Sequence, residues 1–111
     1  MSSGKINGVD SQTDRKLNEF LKDIRTLYSD ARVYLFGSRA RGNQRKDSDY
    51  DLIVISRKFV KKDFIDRPET IWKNSDVVIG ADLLCYTPAE FSRISKTSFV
   101  LREAMRDAIP L

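Results

Sequence analysis

Asp49 and Asp51 stand at the head of an apolar run, Leu52-Ile53-Val54-Ile55, and Gly37-Ser38 close an earlier one, Val33 to Phe36. A strand from Asp49 onward points both carboxylates to one side, about 7 Å apart at a rise of roughly 3.3 Å per residue. Two unit charges at that distance repel by about 2 kcal/mol at an effective dielectric near 20. A divalent cation between them removes the repulsion, so the pair reads as a two-pronged metal site. The Gly37-Ser38 turn supplies the complementary half. Backbone N–H groups at the start of a helix and a small hydroxyl bind phosphate oxygens, and glycine permits their close approach. Metal next to phosphate is the chemistry of a nucleotide.

Either half alone is also what a charged surface turn looks like. The combination is more specific: G-S-R-A-R-G (Gly37 to Gly42), a spacer from Asn43 to Asp47, S-D-Y-D, then four apolar residues, bracketed by apolar runs. At these residues the chain resembles the nucleotidyltransferase superfamily related to DNA polymerase beta, whose signature runs G-S-x-A-x-G, a short spacer, S-D-x-D and apolar residues. It is most similar to the minimal nucleotidyltransferases of prokaryotes, single small domains often encoded beside a helical HEPN protein. The stretch FIDRPETIWKNSDVVIGADLLCYTPAEF also resembles the family's helix, third strand and T-P-x-E-F segment.

That resemblance implies an α+β domain, a small mixed sheet flanked by helices, and Mg²⁺- or Mn²⁺-dependent transfer of a nucleoside monophosphate from an NTP, with ATP as the expected donor. It further implies a HEPN-type partner whose tyrosine would be adenylylated, which makes this chain the antitoxin of a toxin–antitoxin pair. A chain this short lacks room for a second acceptor-holding domain, so the acceptor surface is expected from another chain. A self-dimer acting on a small molecule, RNA as acceptor, and a catalytically silent nucleotide- or partner-binding module are the alternatives.

This chemistry calls for a third carboxylate, because two metals share bridging acids and one group takes the acceptor's proton. Asp76 and Asp82 are the candidates, and parity alone does not separate them. Asp82 lies among Ile79, Leu83 and Leu84, where a buried acid needs a charge partner. Asp76 follows Lys73-Asn74-Ser75 and reads as a loop or cap residue. The family match also falls on Asp82, giving Asp49, Asp51 and Asp82 as catalytic and metal-holding residues and Gly37 and Ser38 as nucleotide-binding ones. Arg39 and Arg41 either gather and neutralise the triphosphate or are solvent-facing residues of a basic loop. Arg67 stands where the family often has arginine, but can equally pair with Asp63 or Glu69 on its own helix.

Composition sets outer limits. The 111 residues accommodate one core, and 41% hydrophobic residues suffice to build it. One domain over 1–111 is expected, with 1–10 as a flexible lead-in. No apolar run reaches 18 residues and the start lacks the features of a signal peptide, so a cytoplasmic location is expected. The chain has no histidine, which excludes an imidazole base or ligand, and one cysteine, which excludes an internal disulfide. Cys85, in the run LLCY, reads as a buried small hydrophobe. The net charge of +4 arises from 20 basic and 16 acidic residues spread along the chain, a weak pointer to nucleic acid. The cluster Arg57, Lys58, Lys61 and Lys62 reads as a solvated loop or as a contact for an acidic partner or a nucleic-acid backbone.

The elements that must hold these residues follow from periodicity. Leu17, Phe20, Leu21, Ile24, Leu27 and Tyr28 recur at helical spacing from about Thr13. Val33 to Phe36, Asp49 to Ile55 and Ala81 to Tyr86 read as strands, the second apolar on both faces after Asp51. Ser38 to Arg41 begins a short helix. Asp66-Arg67-Pro68-Glu69 and Thr87-Pro88-Ala89-Glu90 read as capped helix starts. Phe99 to Ile109 reads as a final helix ending at Pro110.

Overall fold

The computed structural model describes residues 11–37 and 50–111. Helix α1, Ser11–Leu27, buries Leu17, Phe20, Leu21 and Ile24, the i, i+3, i+4, i+7 stripe of an amphipathic helix. Strand β1, Arg32–Phe36, and strand β2, Tyr50–Ile55, pair antiparallel. Two 3₁₀ turns, Arg57–Lys61 and Phe64–Asp66, lead into helix α2, Arg67–Lys73. Strand β3, Ala81–Tyr86, lies parallel to β2. Helices α3, Pro88–Thr97, and α4, Phe99–Arg106, are followed by a short strand β4, Ile109–Pro110. The described sheet has the order β3-β2-β1-β4, so β2 is central and is buried along Leu52 to Ile55.

Strand alternation splits the apolar side chains between two layers. Val33, Leu35, Leu52, Val54, Leu83 and Cys85 face the layer built by α1, Phe59 and Ile71 of α2. Tyr34, Phe36, Ile53, Ile55, Leu84 and Tyr86 face Phe91 and Ile94 of α3 and Leu101 and Met105 of α4. Cys85 is fully buried, as its apolar setting implies, and burial pushes its thiol up to about 12.

Four expectations are corrected. The last helix stops at Arg106 rather than Ile109. Ile109 and Pro110 pair instead with Leu35 and Tyr34 at the sheet edge, and the Leu111 N–H donates to the Val33 carbonyl. Proline is compatible with that outer position because an edge strand leaves one side of its backbone unpaired. Asp66 makes no side-chain cap. Its backbone is already helical (φ −87, ψ −9), so it is a continuation of the 3₁₀ turn and not the extended residue that capping requires. Thr87 and Glu90, by contrast, form the full reciprocal capping box.

The third correction is Arg67, which pairs with neither Asp63 nor Glu69. It is 4% exposed, donates through Nε to the Lys62 carbonyl at 2.9 Å and through a terminal nitrogen to the Cys85 carbonyl at 3.0 Å, and forks onto Glu90 at 2.6 and 3.1 Å. The guanidinium holds the Glu90 carboxyl down at about 2. A carboxyl lowered from the ordinary 4.5 stabilises the fold fully above that value and loses this contribution as pH falls from 4.5 toward 2. Glu90→Gln is therefore expected to cost about 2 kcal/mol at neutral pH. It should also flatten the loss of stability between pH 4.5 and 2, as read by urea unfolding against pH.

The fourth correction concerns the surroundings of Asp82. It is exposed, not buried among apolar neighbours. Leu83 points to the α1 layer and Leu84 lies two residues along on the same face, under α3 and α4.

Candidate active site

Asp51 and Asp82 are register partners on the adjacent parallel strands β2 and β3. Partners of this kind point to the same face about 4.8 Å apart. That face is the α3 and α4 side, which Ile53 and Leu84 share. Both acids lie at the same end of the sheet, near the start of their strands, with Asp51 half-buried and Asp82 exposed. Phe36, the antiparallel partner of Asp51, completes a row Asp82, Asp51, Phe36 across three strands. Sequence reasoning did not single out Phe36; its signal was its place immediately before Gly37, at the same parity as the inward Tyr34.

The other third-carboxylate candidate lies elsewhere. Asp76 is exposed in the connection between α2 and β3, five residues before Ala81. Ser75 fastens this connection to α1 by donating to Asp23 Oδ2 at 2.7 Å and accepting from the Val77 N–H. The strand does not extend back to Asp76, so the shared parity that left the two acids equivalent does not apply. Gly80 delivers the chain to the site, its carbonyl accepting from the Tyr50 N–H at 3.0 Å.

Gly37 ends β1 with φ +79, a conformation that favours glycine. A Cβ built there would stand 2.5 Å from Asp51 Oδ2 and 3.3 Å from its Cγ. The missing side chain thus makes room for the carboxylate itself. The turn and the acid are one packed unit. Ser38, Arg39, Arg41 and Asp49 lie outside the described residues, as does the helix expected to start at Ser38.

Two carboxylates on one face at one strand spacing suit a hard, oxygen-seeking divalent cation. Among the described residues no three His, Cys, Asp or Glu side chains form a metal-sized group. Arg67 is not part of this site: it bonds Cys85, near the far end of β3, and serves the packing of α2 against α3.

Comparison with known proteins identifies the family. A Methanocaldococcus jannaschii protein whose full name begins "Putative protein adenylyltransferase" is 33% identical over 86 residues, which cover 76% of this chain and 84% of that protein. A crystal structure described as a "putative nucleotidyltransferase" from Sulfolobus solfataricus superposes with a TM-score of 0.59 over 84% of each chain; at 24% identity it speaks for the fold. The family model of the nucleotidyltransferase domain matches residues 17–109, a span that holds Gly37, Asp51, Asp82 and strands β1 to β3. This chain belongs to the nucleotidyltransferase family.

Proposed function

We propose that the chain transfers AMP from ATP, with Mg²⁺ or Mn²⁺, to a hydroxyl acceptor, and that the acceptor is a tyrosine of a HEPN-type protein partner. The observation that supports this best is the Asp51–Asp82 pair, set side by side at a sheet end and packed against a glycine turn. The named activity of the Methanocaldococcus relative, protein adenylylation, supports a protein acceptor.

In this reading the backbone at Gly37 and the hydroxyl of Ser38 donate to the triphosphate oxygens. Asp49, Asp51 and Asp82 would hold the divalent ion, which when bound offsets phosphate charge and lowers the cost of forming an oxyanion nucleophile. Asp82, the exposed member, accepts the acceptor's hydroxyl proton, a role left to a carboxylate by the absence of histidine. The hydroxyl oxygen bonds to the α-phosphorus as the bond to pyrophosphate breaks, and pyrophosphate leaves with the electron pair. Arg39 or Arg41 balances the charge that departs.

Incubation of the purified chain with MgATP and the product of the adjacent gene tests the acceptor. The expected result is a gain of about 329 Da per AMP on that partner, the mass of the transferred group, located on a tyrosine by fragmentation. An unmodified partner, with the label found on RNA or a small molecule, overturns the tyrosine acceptor while retaining nucleotidyl transfer.

A further inference from the structure

Two consecutive residues at the end of β1 border Asp51, and they are of unlike kind. Gly37 leaves out the side chain whose Cβ would stand 2.5 Å from Asp51 Oδ2, so the carboxylate leans over the end of that strand. Phe36 is the antiparallel register partner of Asp51. Direct cross-strand partners share a face, with Cβ atoms about 5 Å apart, so the Phe36 ring stands beside the acid on the α3 and α4 side.

The ring is itself anchored. Phe36 is half-buried and packs against the cluster of Ile53, Ile55 and Leu101, which ties it to the sheet and to α4. A side chain fixed there closes the staggered positions that would lay Asp51 inward over β1, and leaves the one beyond the strand's end, at Gly37. On the other side stands Asp82, the register partner on β3, a like charge that disfavours a lean in that direction while no cation is bound. A benzene ring also brings no hydrogen-bond donor to compete with a cation for the carboxylate, and it lowers the dielectric on its side, where charges attract more strongly. Serine, threonine or asparagine at position 36 would do the opposite.

We propose that Phe36 is a positioning residue for Asp51: its ring walls the carboxylate on the β1 side and keeps it facing the open end of the sheet, ready for a divalent cation. It acts through Asp51 and not on the nucleotide itself. The inference rests on the reading of these acids as a cation site.

Binding of Mn²⁺ alone to the full chain, followed by the loss of the free-ion electron paramagnetic resonance signal, tests this, with melting read by circular dichroism. Wild type should bind Mn²⁺. Phe36→Ala should raise the dissociation constant by about tenfold or more, and Phe36→Leu, which keeps the apolar bulk, should stay within about threefold of wild type. Phe36→Val, a good strand former, takes the place of Phe36→Ala if that variant does not fold. In an Asp51→Asn background, loss of the ring should not weaken the remaining Mn²⁺ binding further, because the group it positions is gone. A ring that serves packing alone would lower the melting temperature of Phe36→Ala and leave its Mn²⁺ affinity at the wild-type value. That result overturns the proposal and leaves the cation site standing, as does an equal loss of affinity in the Asp51→Asn background. A wild type that binds no Mn²⁺ overturns the cation-site reading and the proposal with it.

Discussion

Asp51→Asn and Asp82→Asn are each expected to lower nucleotidyl transfer by roughly 10³-fold, the scale on which loss of a charge-stabilising group acts on a transition state. Neither change should unfold the chain. On their own face of the sheet the acids precede the apolar row of Ile53 and Leu84, while Tyr50, Leu52 and Leu83 are buried on the opposite face. Removing one of two like charges from neighbouring strands relieves repulsion in the absence of a cation, so melting temperatures should hold or rise slightly. Asp76→Asn should leave the rate unchanged, because its loop belongs to α1 through Ser75 and Asp23 and not to the acid row. Initial rates at saturating ATP for the three variants read this directly. Activity kept in Asp82→Asn and lost in Asp76→Asn would reverse the assignment of the third carboxylate.

Gly37→Ala should damage both stability and site. A Cβ in the left-handed region costs about 1–2 kcal/mol, here at φ +79. It also stands 2.5 Å from Asp51 Oδ2, so the carboxylate must turn away from its place on the sheet. The expected outcome is a melting temperature lower by about 5 °C or more and Mg²⁺-dependent ATP binding weakened by about tenfold or more. A double-mutant cycle separates the two effects. In an Asp51→Ala background the clash is gone and the backbone cost remains, so Gly37→Ala should destabilise less there than in wild type. Equal costs in both backgrounds would show that turn and carboxylate are not coupled.

What was readable in the sequence was local. The α1 stripe, the unbroken apolar run of β2, the bounds of β3 and the Thr87–Glu90 cap depend on residues a few positions apart. The misread features depend on distant pairing. Ile109 and Pro110 carry no strand signal of their own and are held by Tyr34 and Leu35 across the sheet. Arg67 meets Glu90, 23 positions away, in preference to the acids beside it in sequence. Asp82 was judged by its chain neighbours, yet Leu83 turns to the opposite layer and leaves the carboxylate exposed.

The site was legible in the same uneven way. Residue types and spacing brought out Gly37, Asp51 and the choice between Asp76 and Asp82, but only register puts Asp82 beside Asp51. The second reason for a glycine at position 37, the space taken by Asp51, needed coordinates, because it depends on how β1 ends against β2.

Nucleotidyl transfer at the Asp51–Asp82 pair is tested most directly by following which phosphate of ATP moves. The chain, the adjacent gene product and Mg²⁺ are incubated with ATP labelled at the α- or the γ-phosphate, using wild type and Asp51→Asn. With wild type, the α-label should become covalently attached to the acceptor and the γ-label should leave as pyrophosphate, with neither event in Asp51→Asn or after chelation. Transfer of the γ-label with the α-label left in ADP, or α-label transfer undiminished in Asp51→Asn, would contradict it.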